Sequence, residues 1–426
     1  MHASALPPAL NPAPAAAGVP PGAGAGTASA ADGAPPGNWL SVFGGSAWEW
    51  ESRRRQYYLH NFLAGQPDLN FHNPAVQDAV LEVLRFWLER GVDGFRFDTV
   101  NYYFHDRKLR SNPPAERGET APTVNPYEMQ NHVFDKNRPE NVAFLKRVRT
   151  LMDNYADRTT VGEVGEGGAK AIEIMAEYTR GPKRLHMAYS FEMLGASYDA
   201  RHFRKAVERF FRAAPDGWPC WSFSNHDVVR HVSRWGAHGA DPQALAAQTA
   251  ALLLSLPGSA CIYQGEELGL GEAVLEFHEL TDPPGIRFWP EYKGRDGCRT
   301  PMPWDGEAPH AGFTTGLSWL PVKPEQAERH VAGQEADPGS TLAFYRRMLA
   351  GETFGEAVRA AREEVWLRFR GVNTWGAYQC YGDPSYTLLR GRPAPRPQAR
   401  RFHCPTELGV ELDNLTQALR TLAAQE

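Results

Sequence analysis

Cysteine is scarce in this chain: five residues in 426, widely spaced and without a Cys-x-x-Cys pair, which argues against a disulfide framework and a zinc ribbon. Charge of one sign is lacking too. Lys plus Arg number 45 against 50 for Asp plus Glu, a net charge of −5, so there is no basic footprint for a nucleic acid and no nucleic-acid partner is expected. No apolar run reaches the roughly 18 residues of a membrane span, and the N-terminus has neither the basic nor the apolar region of a secretory signal. The expectation is a soluble, cytoplasmic protein in a reducing compartment, with no membrane partner and no indication of oligomeric state.

Residues 1–37 carry 13 Ala, 8 Pro and 6 Gly but no Lys or Arg, and such side chains cannot offset the entropy of ordering them. A disordered low-complexity leader is expected there. The composition changes at Asn38, where a Trp-rich stretch begins, and from Asn73 onward apolar runs alternate with helical periods in the manner of βα units. Asn73 and Pro74 read as a helix start, with Val76, Val80, Leu84 and Leu88 on one face until Gly91. Further helices are expected from about Pro139, near 169–179, 200–213 and 242–256, and at 341–350. The segments GFRFDTV (94–100), TTVGEV (159–164), HMAYSF (186–191), CWSFSN (220–225) and ACIYQGE (260–266) read as five strands, all parallel if each helix is a crossover. A long Pro/Gly/Trp-rich loop spans 267–338. After Gly351 the pattern fails, and Leu408, Leu412, Leu415, Leu419 and Leu422 suggest one final packed helix.

Alternation along GFRFD puts Arg96 and Asp98 on one face and Phe95 and Phe97 on the other. A positive charge beside a carboxylate favours its ionised form, the state a nucleophile needs; a structural ion pair would look the same. Glu163 closes the strand TTVGEV, and His226 and Asp227 follow WSFSN. Asp98 and Glu163 are 65 residues apart, Glu163 and Asp227 64, spacings that fit whole βα units of about 30 residues once the loop 101–137 is allowed for. Each acid then lies at the C-terminal end of a different parallel strand, where barrel enzymes carry their chemistry, although helix capping is the plain alternative for any one of them. Trp48, Trp50, Tyr102, Tyr103, Phe104, Trp289 and Trp304 could stack on a sugar or be buried as packing. Glu266 and Glu267 stay open between structure and binding.

GFRFDTVN, VGEV and FSNHD resemble three successive signature segments of the α-amylase superfamily of retaining glycoside hydrolases, family 13, and QPDLN (66–70) resembles the extra segment of its oligo-1,6-glucosidase and α-glucosidase branch. YYLHNFLAGQPDLNFHNPAV, GIRFWPEYKGRDGCRTPMPWDG and AGFTTGLSWLPV are also similar to bacterial α-glucosidases, so the resemblance runs from about Asn38 to about Ala350. It implies a (β/α)8 TIM-type barrel, with Asp98 as nucleophile, Glu163 as general acid/base and Asp227 as the carboxylate that fixes the sugar. Arg96 and His226 would orient substrate and acids. The implied substrate is a small α-glucoside or malto-oligosaccharide of the maltose or isomaltose kind, cleaved by double displacement with or without transglucosylation. No metal-ligand spacing appears, and no cofactor is implied.

Only five strands are counted where such a barrel has eight. The expected architecture is therefore α/β, a partial (β/α)8 barrel of about the last five βα units, as if truncated at the N-terminus. Residues 38–73 would be a remnant of the loop domain preceding the fourth helix-strand unit, 74–350 the partial catalytic barrel, and 351–426 an atypical segment that does not read as a β-sandwich. The alternative to an active hydrolase is a catalytically inactive amylase-like fragment or interaction module.

Overall fold

The computed structural model describes residues 33–116, 124–236 and 239–351, together with Glu356 and Arg359. Most of the expected leader, the leucine stripe at 408–422 and nearly all of 351–426 lie outside the described residues.

Among the described residues the first element is an antiparallel hairpin, β1 (Trp48–Glu51) and β2 (Gln56–Leu59), paired from Trp48↔Leu59 to Glu51↔Gln56. The Glu51 carboxylate closes its turn by accepting from the backbone N–H of Arg53 and Arg54 at 3.2 and 2.7 Å. Trp39 stacks on Trp48 at 5.3 Å, and with Ala47 and Leu59 they form a small core of their own. Of the aromatics read as possible sugar platforms, Trp48, Tyr102 and Phe104 are therefore buried packing, whereas Trp50 and Trp304 are exposed.

Helix α1 (Pro74–Leu88) starts where its sequence predicts. Asn73 Oδ1 accepts from Ala75 N at 3.0 Å, Pro74 needs no partner for an N–H it lacks, and Gly91 leaves the helix at φ 87°. There follow β3 (Gly94–Phe97), α2 (Asn141–Met152), β4 (Thr159–Val164), α3 (Gly168–Thr179), β5 (Met187–Ser190), α4 (Ala200–Ala213), β6 (Cys220–Trp221), α5 (His231–Gly236), α6 (Pro242–Ser255) and β7 (Ser259–Ala260). Short helices α7 (Pro283–Arg287), α8 (Pro324–Ala327) and α9 (Val331–Glu335) interrupt the long loop before α10 (Thr341–Ala350).

Strands β3, β4 and β5 form one parallel sheet in chain order, β6 and β7 pair in parallel, and a single parallel bridge from Ala188 to Pro219 links the two sets. All five expected strands are present, but most are shorter than the extended pattern suggests. Pairing of β3 stops at Phe97, because the backbone turns left-handed at Thr99 and enters a 3-10 turn at Val100–Tyr102. Likewise only Cys220 and Trp221 of CWSFSN, and Ser259 and Ala260 near ACIYQGE, are paired. Tyr155 lies just beyond α2 and packs on the core from the following turn.

The main core lies between the sheet and its crossover helices, built from Phe97, Val100, Leu145, Val148, Val164, Met175, Phe210, Trp221 and Phe223 among others. Close approach at Gly162 is part of this packing: a Cβ there would stand 2.7 Å from Leu185 Cδ1 and 3.1 Å from Val100 Cγ1. Among the described residues no helix is long and apolar enough to cross a membrane.

The turn after β7 buries Glu266 against α6 and α10, 2% exposed, its carboxyl taking the backbone N–H of Tyr263 at 3.1 Å. This position supports the structural reading of Glu266. Burial pushes its carboxyl from 4.5 up to about 8. The folded protein thus holds a proton that the unfolded chain releases near 4.5, so unfolding free energy should fall as pH rises from there to about 8, and then level off. Urea unfolding across this window should show that fall, and Glu266→Gln should make it shallower, the raised carboxyls of Asp68, Glu267 and Glu272 keeping the remainder; an equal slope in the variant would assign the effect to those groups alone.

Candidate active site

Parallel register decides which side chains meet at the C-terminal end of the sheet. Arg96 lies opposite Val161 and Phe97 opposite Gly162, while Glu163 lies opposite Tyr189. Arg96, Glu163 and Tyr189 consequently share the face away from the helices, and they touch. The Arg96 guanidinium contacts Asp98 Oδ1 through Nη1 at 2.5 Å and Glu163 Oε2 through Nη2 at 2.7 Å. Nη2 also donates to Tyr189 Oη at 3.1 Å, and Tyr189 donates to Glu163 Oε1 at 2.9 Å.

The two carboxylates stand in opposite surroundings. The Glu163 side chain is 1% exposed, that of Asp98 69%. Burial raises the Glu163 carboxyl above its ordinary value; the Thr99 amide and Arg96 pull it down, a hydrogen bond with Asp98 raises it again, and Tyr189 lowers it. The net direction is upward, which favours the protonated acid. Thr99 N–H reaches Glu163 Oε2 at 3.1 Å, and Thr99 itself is left-handed, φ 38°, ψ 48°. A β-branched residue seldom adopts that conformation, and holding it costs about 1–3 kcal/mol.

Asp227 belongs to a second cluster, in the turn after β6. Its N–H donates to Asn225 Oδ1 at 2.9 Å, and His226 Nε2 stands 3.4 Å from its Oδ2. Asp227 Oδ1 accepts from both Arg295 Nη1 at 2.8 Å and Arg299 Nη2 at 2.9 Å. Arg299 Nε also donates to the His226 carbonyl at 2.6 Å. Behind them the fully buried Asp282 carboxylate takes Arg295 Nη2 at 2.6 Å and its backbone N–H at 2.9 Å. The two clusters lie within electrostatic reach of one another. His226 is held below its ordinary value by partial burial, and the charges acting on it include Arg96 and Asp98 as well as Asp227 and Arg299.

All five residues singled out from the sequence, Arg96, Asp98, Glu163, His226 and Asp227, thus lie in this region. Tyr189, Arg295, Arg299 and Asp282 were not singled out. Period-2 alternation in MAYS placed Tyr189 on a face without saying what it met, and nothing local connects Arg295 or Arg299 to Asp227. Among the described residues no group of three or more His, Cys, Asp or Glu is placed to hold a metal ion.

An α/β chain with carboxylates at or just beyond the C-terminal ends of three parallel strands, β3, β4 and β6, has the layout of a barrel-type carboxylate site. The chain belongs to the α-amylase family: the model of the α-amylase catalytic domain matches residues 25–356. It is 57% identical over 324 residues to a probable α-glucosidase of Rhizobium meliloti (strain 1021), covering 75% of this chain and 58% of that protein. With the oligo-1,6-glucosidase of Heyndrickxia coagulans it shares 34% over 354 residues, 75% of this chain and 61% of the other. The solved structure of the α-glucosyl transfer enzyme XgtA superposes with a TM-score of 0.72 at 51% identity, covering 77% of this chain and 61% of that one. The chain spans only about three fifths of the length of these relatives.

Asp282→Ala would leave the two arginines partly buried without the carboxylate behind them. It should destabilise the protein by about 3–5 kcal/mol in urea unfolding, the usual cost of breaking a buried pair. A loss below about 1 kcal/mol would show that the clamp on Asp227 is not held from Asp282.

Proposed function

We propose that this chain carries the site of a retaining α-glucoside hydrolase acting on small α-glucosides of the maltose or isomaltose kind. The observation that carries the reading is the pairing of a buried, proton-favouring Glu163 with an exposed Asp98 through one guanidinium. Retaining glycosidases need one carboxyl to protonate the leaving oxygen and a second, close by, to attack the anomeric carbon.

On this reading Asp98 attacks and the bond to the leaving sugar breaks, Glu163 giving its proton to the departing oxygen. A covalent glucosyl ester forms on Asp98. Glu163, now a carboxylate, takes a proton from the incoming water as that water attacks the same carbon, and Asp98 is released. If a sugar hydroxyl replaces water, the product is a transferred glucoside; the likeness to an enzyme described as transferring α-glucosyl groups supports keeping both outcomes. Arg96 orients both acids, and Asp227 with His226 would hold sugar hydroxyls. The five parallel strands in chain order, with carboxylates at or beyond the C-terminal ends of the first, second and fourth of them, fit the last five βα units of an eight-stranded barrel.

A fluorinated α-glucosyl reagent, which slows breakdown of the ester, should add one glucosyl mass to the peptide containing Asp98. Labelling of a different peptide would refute the assignment. Glu163→Gln should slow cleavage of maltose by about 10²–10⁴, yet spare aryl glucosides whose leaving group needs little protonation. Equal losses on both substrates would remove Glu163 from the acid role.

A further inference from the structure

A buried polar circuit ties the segment after β3 to the turn after β4. Lys136 is 5% exposed. Its Nζ stands 3.2 Å from Glu166 Oε2 and donates to Tyr102 Oη at 3.3 Å, with the rings of Tyr102 and Tyr127 at 5.2 and 5.6 Å. Burial opposes the charge, but Tyr102 and Glu166 outweigh it and hold the ammonium above its ordinary value. Glu166 Oε2 also accepts from Asn137 Nδ2 at 2.7 Å. Asn137 Oδ1 accepts from Asn101 Nδ2 at 2.7 Å, and the Asn137 N–H donates to the Asn101 carbonyl at 2.7 Å. Asn101, with no exposed surface, closes the circuit by accepting from Gly165 N at 2.8 Å.

Stability alone is a poor reason for this arrangement. A buried ion pair is often no better than apolar residues of the same volume, and Asn137 is itself left-handed at φ 58°. Position gives a better reason. Asn101 stands three residues beyond Asp98, and Glu166 three beyond Glu163. The circuit therefore grips the two carboxylate-bearing segments at equal distances from their acids. Between Asp98 and Asn101 lies the left-handed Thr99, whose N–H meets Glu163 and whose carbonyl accepts from Tyr102 N at 2.9 Å. Fixing Asn101 fixes that turn, and with it both the exit of Asp98 from the strand and the amide that Glu163 receives.

We propose that Lys136, Asn137 and Asn101 are positioning residues, whose circuit with Glu166 sets the separation and mutual orientation of Asp98 and Glu163. The proposal rests on the reading of those two acids as the reacting pair. It acts through geometry: the groups that face Glu163 directly are Arg96 and Asp98 from β3 and its turn, the Thr99 amide, and Tyr189 from β5.

Asn137→Gly removes the amide link while keeping the left-handed backbone that glycine adopts without strain. Lys136→Met removes the ammonium at similar length. Two readouts are taken on the full chain: kcat and KM on an aryl α-glucoside, and the titration of Glu163 followed by carboxyl ¹³C NMR. In both variants kcat should fall about 10- to 100-fold with KM nearly unchanged. The Glu163 midpoint should rise, because a loosened Thr99 amide no longer favours its carboxylate. A wild-type Glu163 titration in Asn137→Gly overturns the proposal, as does wild-type kcat in either folded variant, even if its melting temperature drops. If Lys136→Met does not fold, Asn137→Gly decides. If the parent protein cleaves no glucoside, the functional reading fails by itself, and the NMR arm still decides whether the circuit positions Glu163.

Discussion

One guanidinium holds the site together. Two carboxylates cannot approach closely in a partly buried place without repelling each other, and Arg96 removes that repulsion by giving one nitrogen to Asp98 and the other to Glu163. Its planar fork also fixes angles, which a lysine in that place would not do. Tyr189, bonded to both Arg96 and Glu163, completes the arrangement from the next strand.

The scaffold requirements follow from that contact. Arg96 can reach Glu163 and Tyr189 only if β3, β4 and β5 are parallel and in the observed register, and a slip of one residue would turn Glu163 toward the helices. Gly162 contributes by being small. A side chain there would collide with Leu185 and Val100, pushing β4 off the layer that carries Val100 and, through it, the turn containing Thr99. Leaving the sheet immediately after Phe97 is likewise part of the site, since the Thr99 amide that meets Glu163 belongs to the turn that departs there.

These requirements separate what the sequence made legible from what it did not. Five helices between Pro74 and Ser255, α1 to α4 and α6, were readable because caps and 3.6-residue periodicity are local, with Asn73, Asp199 and Asp241 each capping one of them; the short α5 was not expected. The candidate acids stood out because each lies at or beyond the end of a recognisable strand. Strand ends were not, because an extended apolar pattern does not say where hydrogen-bonded pairing stops, as in CWSFSN. The hairpin at Trp48–Leu59 escaped notice because its turn, closed by Glu51 over Arg53 and Arg54, lacks the usual Gly or Asn signal. The Arg295 and Arg299 clamp was invisible for a different reason: it joins positions about seventy residues apart through side chains alone.

The proposed division of labour among the three acids is a matter of how many donors each one meets and how much water each one sees. Asp227 takes two arginines on one oxygen and stands beside His226 on the other, an arrangement that fixes a carboxylate and leaves it little freedom to attack. Glu163 is enclosed, with a tyrosine, an amide and a guanidinium around it, so it can hold a proton without being exposed to solvent. Asp98 is steadied by Arg96 and otherwise open, leaving carboxylate surface free for an electrophilic carbon. On that proposal one functional group, the carboxyl, takes a different capacity from its surroundings: the clamped acid to hold, the buried acid to carry a proton, and the open acid to attack.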